Sequence, residues 1–178
     1  MKIGCAHIEV VCGAITAVEA EAVVNPANDM LWTGGGVSAE IRRAGGPGIE
    51  TEAMKHAPAA IGSAVVTGGA KLRAALVIHA VIAGQDLKTS EYAVRNAVRD
   101  ALDAAVKKKI TSIAIPLVDS AGYDIEIHVA ARLIVDETVD FLVERNATLT
   151  RVVLVEHEES LRGVFDMALH EKFTRHGR

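Results

Sequence analysis

The chain has 178 residues, half of them apolar, and a formal net charge of −4. That is enough apolar mass for one domain with its own core, and it excludes disorder over most of the length, which needs low hydrophobicity and high net charge. Three Phe, two Tyr and one Trp, with acids in excess over bases, argue against a nucleic-acid partner, which stacks bases on rings or meets phosphates with a basic face.

In chain order, Ile8–Val11 and Ala22–Val24 are short Val- and Ile-rich runs that predict strands. The glycines Gly34–Gly36 follow, then a helix is expected over Ser38–Ala44, broken by Gly45, Gly46, Pro47 and Gly48. A second short helix over Ile49–His56 must end before Pro58. Ser63–Thr67 and Leu76–Val81 predict strands joined by a turn at Gly68–Lys71. The clearest helix is Ser90–Lys108, where Val94, Ala97, Val98, Ala101, Leu102 and Ala105 form one apolar stripe. Strand Ser112–Ile115 is closed by Pro116, and a long helix is expected over Ile125–Arg145, with Asp124 as its cap. Arg151–Val155 is the last strand, and Leu161, Val164, Phe165, Ala168 and Leu169 mark a final amphipathic helix before a frayed end at Arg175–Arg178.

Strands alternating with helices predict an α/β sheet with helices on both faces, and no linker or internal repeat divides the chain. A single domain over 1–178, with its core at about 7–170, is expected. No apolar run reaches the ~18 residues of a membrane span and no leader is read at the N-terminus, so no membrane partner and a cytoplasmic location are expected. Cys5 and Cys12 are too few for a disulfide framework or a four-cysteine zinc site, and are expected as buried or half-buried free thiols. None of the seven histidines falls in a His-Glu-x-x-His spacing; neither metal nor cofactor is expected. His79, at a strand end, is expected as a hydrogen-bonded core residue. The oligomeric state stays open.

In open α/β sheets ligands bind at the carboxyl ends of strands, which directs attention to the loops Asn25–Gly36, Ala80–Gln85, Pro116–Asp124 and Glu156–Glu159. Two of them carry chemistry. Gly34-Gly35-Gly36-Val37 leads into a helix, and glycines there let main-chain N–H groups converge on an anion beside the positive end of the helix dipole. Asn25 and Asn28, just before, either tie the loop together or bind ligand hydroxyls. The second loop, Ser120-Ala121-Gly122-Tyr123, is placed to form a facing nest, and two such nests suit a diphosphate. Tyr123 either lies against a sugar or packs the loop onto the core. Ser38 is read as a cap or first-turn residue of its helix.

Gly13-Ala14-Ile15-Thr16, Val24-Asn25-Pro26-Ala27-Asn28, Gly34-Gly35-Gly36-Val37, Gly46-Pro47, Ile78-His79-Ala80 and Ile113–Pro116 fall in an order and spacing that resemble the macrodomain family, over roughly residues 7–170. The resemblance implies a three-layer α/β/α fold with a mixed sheet of about six strands, and binding of ADP-ribose or a related metabolite. It implies a diphosphate held by Gly34, Gly35, Gly36 and Val37 on one side and Ser120, Ala121, Gly122 and Tyr123 on the other. Ile15, Asn25 and Asn28 complete the implied ligand-binding set, with Asn25 and Asn28 near the distal ribose and Asn28 the candidate catalytic residue. The implied alternatives are hydrolysis of ADP-ribose esters (O-acetyl-ADP-ribose or mono-ADP-ribosyl groups) and binding of a different phosphorylated ligand.

Several positions depart from the family pattern. Ala14 stands where members usually carry the Asp that accepts from the adenine amino group. Glu156, beside His157, aligns where many place a ring over the adenine. Ser38 replaces the Asp of the hydrolytic branch, and a serine with no base beside it is a poor general base. Asp119 stands where a small Ser or Thr is common, and a carboxylate facing a diphosphate would repel it.

Overall fold

The computed structural model describes residues 1–118, 122–145 and 148–175. Seven strands form one mixed sheet: β1 (Lys2–Ile3), β2 (Ala6–Cys12), β3 (Ala22–Asn28), β4 (Ala64–Gly68), β5 (Leu76–Ala83), β6 (Ser112–Pro116) and β7 (Arg151–Glu156), in the spatial order β1-β2-β7-β6-β3-β5-β4. The five central strands run parallel; β1 on β2 and β4 on β5 are antiparallel edges. The expected six strands become seven because the two-residue β1, too short to show a period, pairs onto β2. The turn between them carries Cys5, which is exposed rather than buried; Cys12 is half-buried.

Alternation along the buried strands separates two apolar layers, since successive side chains point to opposite faces. Val24, Ile78, Ile113 and Leu154 face one way, onto α3 (Glu91–Lys107), α4 (Ile127–Glu144) and α5 (Val164–Arg175). Val23, Val77, Ala114 and Val153 face the other way, onto α1 (Gly36–Gly45), α2 (Gly48–Ala53) and the 3-10 turn Ile15–Ala17. The result is the three-layer α/β/α arrangement expected from the pattern.

Helix ends follow local chemistry. Ser90 caps α3 by accepting from the Ala93 amide at 3.1 Å. Asp124, by contrast, is not the cap of α4. Chain entry is tighter than expected, with Ile125 N–H donating to the Tyr123 carbonyl at 2.8 Å, so the helix starts at Ile127. Glu126 caps it instead, accepting from the Val129 amide at 2.9 Å, and these main-chain bonds hold its carboxyl below the usual carboxylate range. Leu161 lies in a 3-10 turn, Glu159–Leu161, ahead of α5. Among the described residues no helix is long and apolar enough to cross a membrane.

β3 runs four residues further than expected, through Asn28, and this shapes the site. Pro26 has no N–H to give a ladder, which normally bars proline from central strands. Here β3 pairs with β6 only at Ala22 and Val23, while its pairing with β5 continues to Asn28. Pro26 therefore sits where β3 and β6 have already diverged, and no ladder bond is lost. That divergence opens a crevice at the carboxyl ends of the strands, where the chain order on either side of β3 reverses.

Candidate functional site

A narrow cleft with a free volume of about 20 Å³ occupies this crevice, lined by Pro26 of β3, Gly35–Ser38 at the start of α1, and Leu117, Val118, Gly122 and Tyr123 after β6. Gly122 and Tyr123 of the second loop thus line the same cleft as Gly35–Val37 of the first. Gly35 is the N-cap residue of α1, and no side chain caps the helix there. Its first-turn N–H groups are the orphan donors of any helix start, and the helix dipole adds partial positive charge at the same point. Gly36 has φ +57°, a left-handed conformation that costs L-residues about 1–2 kcal/mol. Gly34 is closely packed: a Cβ there would lie 3.2 Å from the Trp32 ring, which would have to shift by a few tenths of an ångström. At Gly35 a Cβ would meet nothing within 4 Å.

Tyr123 closes the opposite wall. Its hydroxyl donates to the Pro26 carbonyl at 2.9 Å, across the gap left where β3 and β6 part. Burial pushes its phenol well above the usual range, so it remains a neutral donor. The ring also packs against the core, so it both fastens the loop and forms a wall of the cleft. Ser120, Ala121 and Asp119 lie outside the described residues.

The two asparagines part company. Asn28 is 2% exposed, and its amide is bonded at both ends to the turn that follows: Nδ2 donates to the Trp32 carbonyl at 2.9 Å, and Oδ1 accepts from the Met30 amide at 3.1 Å. It sets the course of the chain toward Gly34. Asn25 is not in a loop at all. It lies within β3, paired in register with His79 of β5, and its side chain is buried on the α1–α2 face. Its Nδ2 donates to His79 Nδ1 at 3.1 Å, so the imidazole carries its proton on Nε2, toward Thr67 Oγ1 of β4 at 2.9 Å. Burial, with His56 nearby, drives the His79 pKa down to about 4 and keeps the ring neutral. His79 is thus the hydrogen-bonded core residue expected from sequence, linking three strands beside the cleft.

Ile15 is wholly buried beneath α1, which leaves only its main chain for a ligand, and Ala14 beside it is exposed. Glu156 is turned away from its expected neighbourhood. It is 1% exposed, and its carboxylate accepts from the Gly163 amide at 3.0 Å and the Phe165 amide at 2.8 Å, so that it caps α5. The period-2 rule accounts for this: Val155 faces the α1 side, so Glu156 faces α5. His157 is half-buried. Among the described residues no group of three or more His, Cys, Asp or Glu is arranged to hold a metal ion. Sequence reasoning missed the Tyr123–Pro26 bond and the cleft-lining position of Ser38. A tyrosine after a strand-to-glycine loop, and a serine two residues past the glycines, are the signals that lead to them.

A family model for the Macro domain matches residues 24–134. An uncharacterized protein of Aquifex aeolicus is 39% identical over 163 residues, covering 91% of this chain and 97% of that protein. A macro domain-containing protein of Caldanaerobacter subterraneus subsp. tengcongensis is 33% identical over 153 residues, covering 83% and 87%. Among solved structures, the Oceanobacillus iheyensis macrodomain with ADP superposes at a TM-score of 0.87 with 27% identity, over 98% of this chain and 96% of that one. The Trypanosoma brucei macrodomain in complex with ADP-ribose superposes at 0.81 with 28% identity, over 92% and 69%. The chain belongs to the Macro domain family.

Proposed function

We propose that the protein is a binding module for ADP-ribose or a closely related ADP-ribose metabolite. The observation that carries this reading is the uncapped start of α1 opening into a cleft between two glycine turns. The amides of Gly36, Val37 and Ser38, with Gly34 and Gly35 shaping their approach, hold one side of a diphosphate. Gly122 and Tyr123 form the other. Asn28 fixes the turn beside the distal ribose, and Ile15 contributes through its main chain. The structural relatives whose titles name ADP and ADP-ribose support the same ligand class. None of the described cleft-lining residues is a carboxylate or a histidine that could take a proton from water, which favours binding over ester hydrolysis.

Isothermal titration tests this with ADP-ribose, AMP and ribose 5-phosphate. Saturable binding of ADP-ribose, with the two fragments far weaker, is expected. A folded protein that takes up no ADP-ribose at millimolar ligand overturns the proposal. Tighter binding of a fragment points to a different phosphorylated ligand.

A further inference from the structure

The outer face of α1 carries a second concave surface. Ala39, Arg42, Arg43 and Gly46 recur at spacings of three and four and so share one side of the helix, while Val37 and Ile41 are buried against the sheet. With Thr33, Gly34 and Pro47 they line a trough with a free volume of about 380 Å³, which shares no lining residue with the cleft.

Charge in the trough is unbalanced. No acid lines it, and the acids around it are already engaged. Glu40 accepts from the Thr16 amide at 3.2 Å and the Thr16 hydroxyl at 2.8 Å. Glu52 accepts from the Gly68 amide at 3.2 Å. Glu50 is divided between the Thr33 amide at 2.5 Å and Arg42 Nε at 3.0 Å, so the two terminal amino groups of Arg42 keep their donors. Arg43 and Lys71 are both exposed, and among the described residues neither has an ion-pair partner. By contrast Arg95, Arg99, Arg132, Arg145, Arg151 and Arg162 are each held by a carboxylate.

The negative end of the helix dipole accounts for cations in the last turn of α1. It does not account for Lys71, which comes from another segment. The Lys71 amide donates to the Gly45 carbonyl at 3.3 Å, and its aliphatic stem passes 4.0 Å from the place of a Cβ on Gly46. Three cations are thus gathered round an open trough with a floor of small residues. Guanidinium forks match carboxylates with paired N–H bonds. No aromatic ring lines the trough on which a base could stack, which disfavours a nucleic acid.

We propose that this face of α1 is a docking surface for an acidic segment of a partner protein, whose carboxylates pair with Arg43, Lys71 and the terminal amino groups of Arg42. The proposal goes beyond the ADP-ribose reading and does not depend on it. A net charge of −4 repels an acidic partner at long range, so binding has to come from this local excess of positive charge.

Fluorescence anisotropy of the full chain with labelled decaglutamate tests it, beside decalysine and decathymidylate. The variants are Arg43→Glu combined with Lys71→Glu and, as a control on the other side of the sheet, Lys107→Glu combined with Lys108→Glu at the end of α3. Arg42 is left intact because it pairs with Glu50 beside the Thr33 amide. Wild type binds decaglutamate saturably and more tightly than either other probe, and added salt weakens the binding. The α1 reversal weakens it by roughly tenfold or more, since each contact turns from attraction to repulsion; the α3 reversal leaves it within about twofold. Tm and ADP-ribose titrations of the α1 variant match wild type. If its Tm shows that the double variant does not fold, Arg43→Gln and Lys71→Gln, which remove charge without reversing it, each weaken decaglutamate by about threefold. No decaglutamate binding by wild type at millimolar peptide overturns the proposal. So does wild-type affinity in the folded α1 variant, an equal loss from the α3 reversal, or tighter binding of decathymidylate. ADP-ribose titration judges the ADP-ribose reading separately, so either can fail alone.

Discussion

Replacing Gly35 with glutamate places a carboxylate at the mouth of α1 without disturbing the turn that carries it. Gly35 has φ −101°, a conformation open to any residue, and an added Cβ meets no atom within 4 Å. The fold therefore tolerates the side chain. Glycine is itself a fair N-cap residue, so its loss costs up to about 1 kcal/mol, and in a chain of this size that lowers Tm by roughly 2–4 °C. Binding is affected differently. Two unit charges about 4 Å apart repel by about 4 kcal/mol at an effective dielectric near 20. The position is exposed, so the glutamate turns partly into solvent and recovers about half of that. The remaining repulsion, about 2 kcal/mol, weakens ADP-ribose by roughly 30-fold. Gly35→Ala makes the same backbone change without the charge and stays near wild-type affinity. Titration calorimetry and thermal unfolding of the three proteins read both quantities. If Gly35→Glu binds ADP-ribose as tightly as Gly35→Ala at unchanged Tm, the start of α1 is not the anion site.

Two further predictions concern what supports the cleft. His79 stays neutral in the folded protein down to about pH 4, whereas unfolded it takes up a proton near 6.5. Between those values the unfolded chain binds more protons, so stability falls as the pH drops from 6.5 toward 4, by up to roughly 3 kcal/mol, and this group contributes no slope above 6.5. Urea unfolding at pH 7 and pH 5 checks it: His79→Gln, though less stable at pH 7, loses less on acidification, and an equal loss contradicts the assignment. Glu156→Ala removes the acceptor of the Gly163 and Phe165 amides at the start of α5, costing about 2–4 kcal/mol. Its Tm drops while ADP-ribose affinity holds; weakened binding at an unchanged Tm would return Glu156 to the ligand site.

The layer order and most elements were legible because they rest on period. The stripe Val94–Ala105 defines α3 almost to its ends, with Ser90 capping it, and the Val- and Ile-rich runs mark the four buried strands β3, β5, β6 and β7. What was not legible depended on neighbours in space. Pro26 reads as a strand terminator until β6 is seen to leave β3 at Val23, and with that the strand absorbs Asn25 and turns it toward His79. Glu156 reads as a cleft residue by alignment, but the alternation of β7 assigns it to α5. Asp124 and Glu126 are equally plausible caps in sequence; the tight turn at Tyr123 decides for Glu126. Of the site, the glycine turns and Tyr123 were visible as a pattern of strand, glycine and helix. Ser38 was legible as a first-turn residue and, through the resemblance, as the replacement for an Asp; its burial against the cleft depends on Leu117 and Tyr123, which are distant in sequence.

The central claim is that main-chain amides at the start of α1 face a diphosphate across the cleft from Tyr123. A crystal structure of the protein with ADP-ribose tests it directly. The account predicts phosphate oxygens within hydrogen-bond distance of the amides of Gly36, Val37 and Ser38, with Gly122 and Tyr123 on the opposite side. Phosphates bound elsewhere on the molecule, with those amides facing solvent, would contradict it.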